Sequence, residues 1–183
     1  MIAGAAKGRR LRSAPSRRVR PSGDRLKEAL FSTLGPGIEG KTVLDLYAGS
    51  GALGIEALSR GAAHATFVES YPEAAAMIEQ NLQSTGLSDN ATVVRSSAEE
   101  FVAGDGAGPF DLVFIDPPYA LGVPRELLEK MAARKLVDEG SLVVLEASSR
   151  LVEKTMPDEY RLEAERRYGD SALLYLKVKE GSG

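Results

Sequence analysis

The sequence contains no cysteine and a single histidine, His64. This excludes a disulfide framework, a thiolate zinc site, a cysteine nucleophile and a multi-histidine metal cluster, and it fits a cytoplasmic protein. Long apolar runs are also missing. Segments such as Leu112 to Ile115 and Ser141 to Leu145 fall far short of the ~20 residues that span a bilayer. No continuous apolar stretch follows the basic N-terminus, so neither a membrane-integral protein nor a secretory signal is expected. With 183 residues, 43% hydrophobic and 27% charged, the chain suits one globular domain with its own core.

Acid is absent from residues 1 to 23, which hold Lys7, Arg9, Arg10, Arg12, Arg17, Arg18 and Arg20. The remaining residues carry 16 basic against 26 acidic side chains, so the net charge of -3 conceals a basic arm on an acidic body. Gly, Ser and Pro among the arginines predict an extended strand or loop. Such an arm suits nucleic-acid phosphates or simply a solvated tail. The expected organisation is an arm over 1–23, one domain over 24–180 and a frayed tail over 181–183. There is no internal repeat, and no low-complexity stretch beyond the arm.

Leu26, Ala29, Leu30, Thr33 and Leu34 recur at helical spacing, with Asp24 in the first turn and Gly35-Pro36 as the stop. Strand-then-helix units follow: 42–46 then 52–60, 65–69 then 73–85, 92–95 then 98–102, and 110–115 then 125–134. A fifth strand covers 141–146. This alternation predicts a parallel sheet with helices on both faces and ligands at the C-terminal ends of the strands. Segments 161–167 and 172–179 leave no room for a crossover helix and predict an antiparallel edge hairpin. His64 reads as an exposed residue of the turn before the second strand. Tyr160, Tyr168 and Tyr175 read as packing in or near the hairpin.

Between the first strand and its helix runs Asp45-Leu46-Tyr47-Ala48-Gly49-Ser50-Gly51-Ala52-Leu53-Gly54. Its glycines permit a tight turn and bring backbone N–H groups close to a ligand. Glu69, at the end of the second strand, suits a ribose diol. The glycine pattern also matches a dinucleotide site. Asp45 favours a cofactor with a positive sulfonium and an amino-acid moiety over a pyrophosphate, so S-adenosylmethionine is expected and a nicotinamide cofactor is the alternative. Ser97 and the Ala98 N–H stand where an adenine edge would lie, although Ser97 serves equally well as a helix N-cap. The cofactor residues read from these segments are Asp45, Tyr47, Gly49, Ser50, Gly51, Glu69, Ser97 and Ala98.

Asp116-Pro117-Pro118-Tyr119 follows the apolar strand and is the most specific signal in the chain. The prolines stiffen the turn. Asp116 and the Pro117 carbonyl offer acceptors for both hydrogens of an exocyclic base amine, which favours localisation of its lone pair during attack on a methyl group. Tyr119 suits stacking on that base.

Together, Asp45 to Gly54 and Asp116 to Tyr119 resemble Class I S-adenosylmethionine-dependent methyltransferases that act on an exocyclic base nitrogen. Ile2-Ala3-Gly4, Gly8-Arg9-Arg10-Leu11, Arg20-Pro21-Ser22-Gly23-Asp24-Arg25-Leu26-Lys27-Glu28 and Tyr47 to Gly61 are similar to the RsmD family, the 16S ribosomal RNA guanine-N2 methyltransferases. The resemblance spans essentially the whole chain. It implies a Rossmann-like α/β sheet of seven strands with the last antiparallel, S-adenosylmethionine as methyl donor, S-adenosylhomocysteine as product and no metal. The implied partner is small-subunit ribosomal RNA within an assembling particle. It also implies that Arg20 and Asp24 help close the cofactor site and that the other basic residues of the arm grip RNA. Ser22-Gly23, and Ser97 in place of the commoner Asn or Asp, depart from the family pattern. Adenine-N6 methylation of DNA or RNA, nicotinamide-dependent reduction, and a non-catalytic RNA-binding module are the competing readings.

Overall fold

Four short strands with apolar side chains on both faces form the centre of the protein, as a sheet covered on both sides requires. In the computed structural model they are β1 (Thr42–Leu46), β2 (His64–Glu69), β4 (Leu112–Ile115) and β5 (Leu142–Ser148), with β3 (Ala91–Arg95) at one edge. The hairpin β6 (Tyr160–Tyr168) and β7 (Ser171–Val178) completes the sheet, whose spatial order is β3-β2-β1-β4-β5-β7-β6. Strands β1 to β5 are mutually parallel, and β7 runs antiparallel to both neighbours. The expected seven-stranded α/β sheet with its antiparallel C-terminal hairpin is therefore present. The structure describes residues 1–13, 21–104, 108–117, 123–149 and 156–181. Arg17, Arg18, Arg20, Pro118 and Tyr119 lie outside them.

The helices are α1 (Pro21–Leu34), α2 (Ala52–Ser59), α3 (Pro72–Thr85), α4 (Ala98–Ala103) and α5 (Arg125–Ala133). One core packs Leu26, Leu30 and Phe31 of α1, Ile55 of α2 and Ile78 of α3 against Val43, Phe67, Phe114 and Val144. The other packs α4 and α5, through Val102, Leu128 and Met131, against Leu44, Val113 and Leu145. Helix α1 begins at Pro21, which puts Asp24 in its first turn as expected, and a Pro at the first position costs nothing through its missing N–H. His64 opens β2 rather than lying in the preceding turn, and its Nε2 is 2.9 Å from Thr92 Oγ1. Tyr160 and Tyr175 are buried, and the Tyr160 hydroxyl donates to the Leu128 carbonyl at 2.9 Å.

The described part of the basic arm, residues 1–13, is a loop, one of the two expected forms, and it is folded onto the domain. Its backbone makes the turn bonds Lys7 N to Gly4 O and Gly8 N to Met1 O, both at 3.1 Å. The buried Glu56 carboxylate accepts from Ile2 N at 2.8 Å, Ala3 N at 3.0 Å and Arg60 Nε at 2.8 Å. Ala6 is buried, and its N–H donates to Ser59 Oγ at 2.9 Å. Asn81 of α3 closes a second junction, accepting from Arg12 N at 2.8 Å and donating to Arg12 O at 3.1 Å.

Candidate active site

Strand β1 delivers Asp45 to the point where the chain turns into α2. Gly51 at the helix N-cap has φ 76, the left-handed region that glycine enters without strain. Gly54 packs so closely on β2 that an added Cβ would stand 2.3 Å from Phe67 Cε1. Tyr47 adopts φ 60, uncommon for a bulky side chain. Its hydroxyl donates to Glu99 Oε1 at 2.6 Å, and burial together with this carboxylate pushes the phenol well above its ordinary value.

Asp45 is 2% exposed and Glu69 7% exposed. Asp45 Oδ2 accepts from Gly54 N at 2.9 Å. Glu69 accepts from Gly49 N at 2.7 Å and from Tyr71 N at 2.9 Å, so its carboxylate fixes the glycine turn from the neighbouring strand end. Burial pushes the Asp45 carboxyl up to about 8, the Gly54 N–H opposes the rise, and the charges of Asp116 and Glu69 add to it. Three carboxylates thus converge at the ends of β1, β2 and β4. This is an environment that attracts a cation and repels a pyrophosphate. The residues present therefore fit a cofactor carrying a sulfonium and an ammonium, and the same convergence opposes the nicotinamide alternative.

The structure brings Asp45, Tyr47, Gly49, Ser50, Gly51, Glu69, Asp116 and Pro117 to one edge of the sheet. Asp24 lies in α1. Ser97 caps α4 in a reciprocal box: its Oγ accepts from Glu100 N at 3.1 Å, and Glu100 Oε2 accepts from Ser97 N at 3.2 Å. The N-cap reading of Ser97 is thus realised, with Ala98 buried behind it. Among the predicted RNA-binding residues, Lys7, Arg9, Arg10 and Arg12 are exposed; Arg9 donates to the Ser84 carbonyl and Arg12 Nη1 to Gln80 Oε1 at 2.7 Å.

Sequence reasoning missed Asn81, whose side chain is 1% exposed and donates to Ser50 O at 2.9 Å while holding Arg12. It joins the glycine turn to the arm. The available signal was a polar residue within the buried stripe Ile78, Leu82 and Thr85 of α3. Glu56, set between Ile55 and Ala57 in a helix whose other polar side chain is Ser59, carried a similar signal. Among the described residues there is no group of acidic or histidine side chains arranged to hold a metal, and no helix is long and apolar enough to cross a membrane.

A sheet of this order, with a glycine turn after β1, acids ending β1 and β2, and Asp116-Pro117 ending β4, is that of the Class I methyltransferase fold. A T. thermophilus protein described as a 16S rRNA N2 G1207 methyltransferase in complex with AdoMet and guanosine shares this fold. Its TM-score is 0.67 at 23% identity, covering 90% of this chain and 45% of that one. The family model described as "Conserved hypothetical protein 95" matches residues 1–177. The chain is 36% identical to "Ribosomal RNA small subunit methyltransferase D" of Escherichia coli over 99% of its own length and 91% of that protein's. The solved "Putative methyltransferase yhhF from Escherichia coli" superposes with a TM-score of 0.87 at 33% identity, covering 97% of this chain and 96% of that one. The chain belongs to this family, the RsmD family.

Proposed function

We propose that the protein methylates the exocyclic N2 amine of a guanine in small-subunit ribosomal RNA, acting in the cytoplasm on an assembling particle. The observation that carries the reading is the convergence of Asp45, Glu69 and Asp116 at adjoining strand ends. The first two suit the cationic cofactor, and the third suits a reacting amine. The printed name of the E. coli relative supports the RNA substrate.

When bound, S-adenosylmethionine supplies an electrophilic methyl group and leaves as S-adenosylhomocysteine. Asp45 would neutralise its cationic end, Glu69 would accept from its ribose, and the turn from Tyr47 to Gly51, with Ala98, would shape the rest of its site. Arg20 and Asp24 would help close that site, as the family resemblance implies. Asp116 and the Pro117 carbonyl accept the two amine hydrogens, orienting the nitrogen lone pair and stabilising the charge that develops on it. Once the amine carries its methyl group, Asp116 or water would take the proton it sheds. In this reading Pro118 and Tyr119, which lie outside the described residues, would stiffen the turn and stack on the base. Lys7, Arg9, Arg10, Arg12, Arg17 and Arg18 hold RNA phosphates.

The test is methyl transfer from labelled S-adenosylmethionine into small-subunit particles from cells lacking this gene, followed by nucleoside analysis. N2-methylguanosine that disappears with Asp116→Ala supports the reading. N6-methyladenosine would transfer the assignment to adenine. No incorporation, with cofactor binding intact, would overturn it in favour of an RNA-binding module.

A further inference from the structure

Beside Asp116, a cavity of about 210 Å³ opens between α1, the start of α2 and the sheet. Its walls are apolar: Leu26 and Leu30 of α1 face Val144 and Leu173 of the sheet. Its polar lining comes from Asp116, Glu146 and Lys27. The register explains why two acids meet there. Ile115 pairs with Leu145, so Asp116 and Glu146 occupy the next positions on adjacent parallel strands. Strand alternation then places both on the face of Phe114 and Val144, which is the face α1 covers. Glu146 is half-buried, and Ser171 Oγ donates to its Oε1 at 2.9 Å, which fixes the carboxylate from β7.

We propose that this cavity receives the target base and that Glu146 and Lys27 select guanine over adenine. The inference rests on the proposed methyltransferase reading and extends it from the reacting amine to the rest of the base. An apolar cavity with one polar wall is the form a flipped base requires. Guanine presents its N2 amine, its N1–H donor and its O6 acceptor along one edge, in that order. With the amine at Asp116, the neighbouring carboxylate of Glu146 matches N1–H and the ammonium of Lys27 matches O6. Adenine presents an unprotonated N1 beside its reactive amine. Against that nitrogen the Glu146 carboxylate would set one lone pair against another, leaving both unsatisfied. A site built around a donor rejects the analogue that lacks it more strongly than shape alone does.

The test compares wild-type protein with Glu146→Gln and Lys27→Met in methyl transfer to the same small-subunit particles. Dissociation constants for S-adenosylmethionine and melting temperatures are measured alongside. Glu146→Gln preserves the volume and an acceptor for Ser171, so a purely structural role leaves transfer unchanged. The expected result is a fall of about tenfold or more in kcat/KM for each variant, with cofactor affinity within about twofold of wild type. Glu146→Asp, which restores the charge on a shorter stem, should recover part of the loss. Wild-type production of N2-methylguanosine together with full activity of Glu146→Gln and Lys27→Met overturns the assignment of these two residues. A wild-type protein that makes N6-methyladenosine, or nothing, overturns the underlying reading instead.

Discussion

Asp45 Oδ2 and the Gly54 amide meet at 2.9 Å, tying the end of β1 to the first turn of α2. Burial raises this carboxyl from 3.8 to about 8. Across that window the folded protein binds more protons than the unfolded chain, so the stability of the cofactor-free protein falls as pH rises. A cation placed against Asp45 favours the ionised form. Cofactor binding should therefore expel a proton below about pH 8 and tighten as pH rises toward that value. Calorimetry in buffers of different ionisation heat measures the proton directly. Asp45→Asn keeps an acceptor for Gly54, and it should flatten the pH dependence of the melting temperature while weakening cofactor binding. Equal pH profiles for the two proteins would remove Asp45 from this role.

Gly54 is required by packing. A methyl group there would lie 2.3 Å from Phe67 Cε1 and 2.7 Å from Cζ. Gly54→Ala should cost about 1–3 kcal/mol in urea denaturation, because helix α2 must lift from β2. Phe67→Leu vacates the contested space, so the double variant should be more stable than the two single losses predict, by about 1 kcal/mol. Additive losses would place the strain elsewhere.

Much of this architecture was legible because it depends on local pattern. The apolar runs, the glycine turn, Glu69 and the Asp116-Pro117 turn all fall at strand ends that periodicity alone locates. The folding of the arm was not legible, since Glu56 and Ser59 bind residues 2 to 6 across more than fifty positions of sequence. Asn81 was missed for the same physical reason: a polar side chain on a helix reveals its burial only through the partner it meets. Ser97 shows the converse, a local cap signal that the structure realises in full.

Asn81 ties the glycine turn to the arm through Ser50 O and both backbone groups of Arg12. Asn81→Ala strands these groups and should destabilise the fold by about 1–3 kcal/mol. The arm should also detach, exposing the bonds after Arg9, Arg10 and Arg12 to trypsin, and cofactor affinity should fall as the turn loosens. Unaltered cleavage would show that Glu56 and Ser59 anchor the arm without Asn81.

The basic residues of the arm divide by what they already hold. All four described ones are exposed, and Arg9 and Arg12 also donate to α3. The combined substitution Lys7→Gln with Arg10→Gln should leave the melting temperature unchanged and reduce the slope of log affinity for RNA against log salt by about 1–2. Arg12→Gln should lower that slope by about 1 and also lower the melting temperature, because the Gln80 contact is lost along with the charge. Filter binding of small-subunit RNA over a salt series, with thermal melts of each variant, separates the two effects. A salt slope untouched by all three substitutions would make the described part of the arm a structural strap alone, and would leave phosphate binding to Arg17, Arg18 and the rest of the surface.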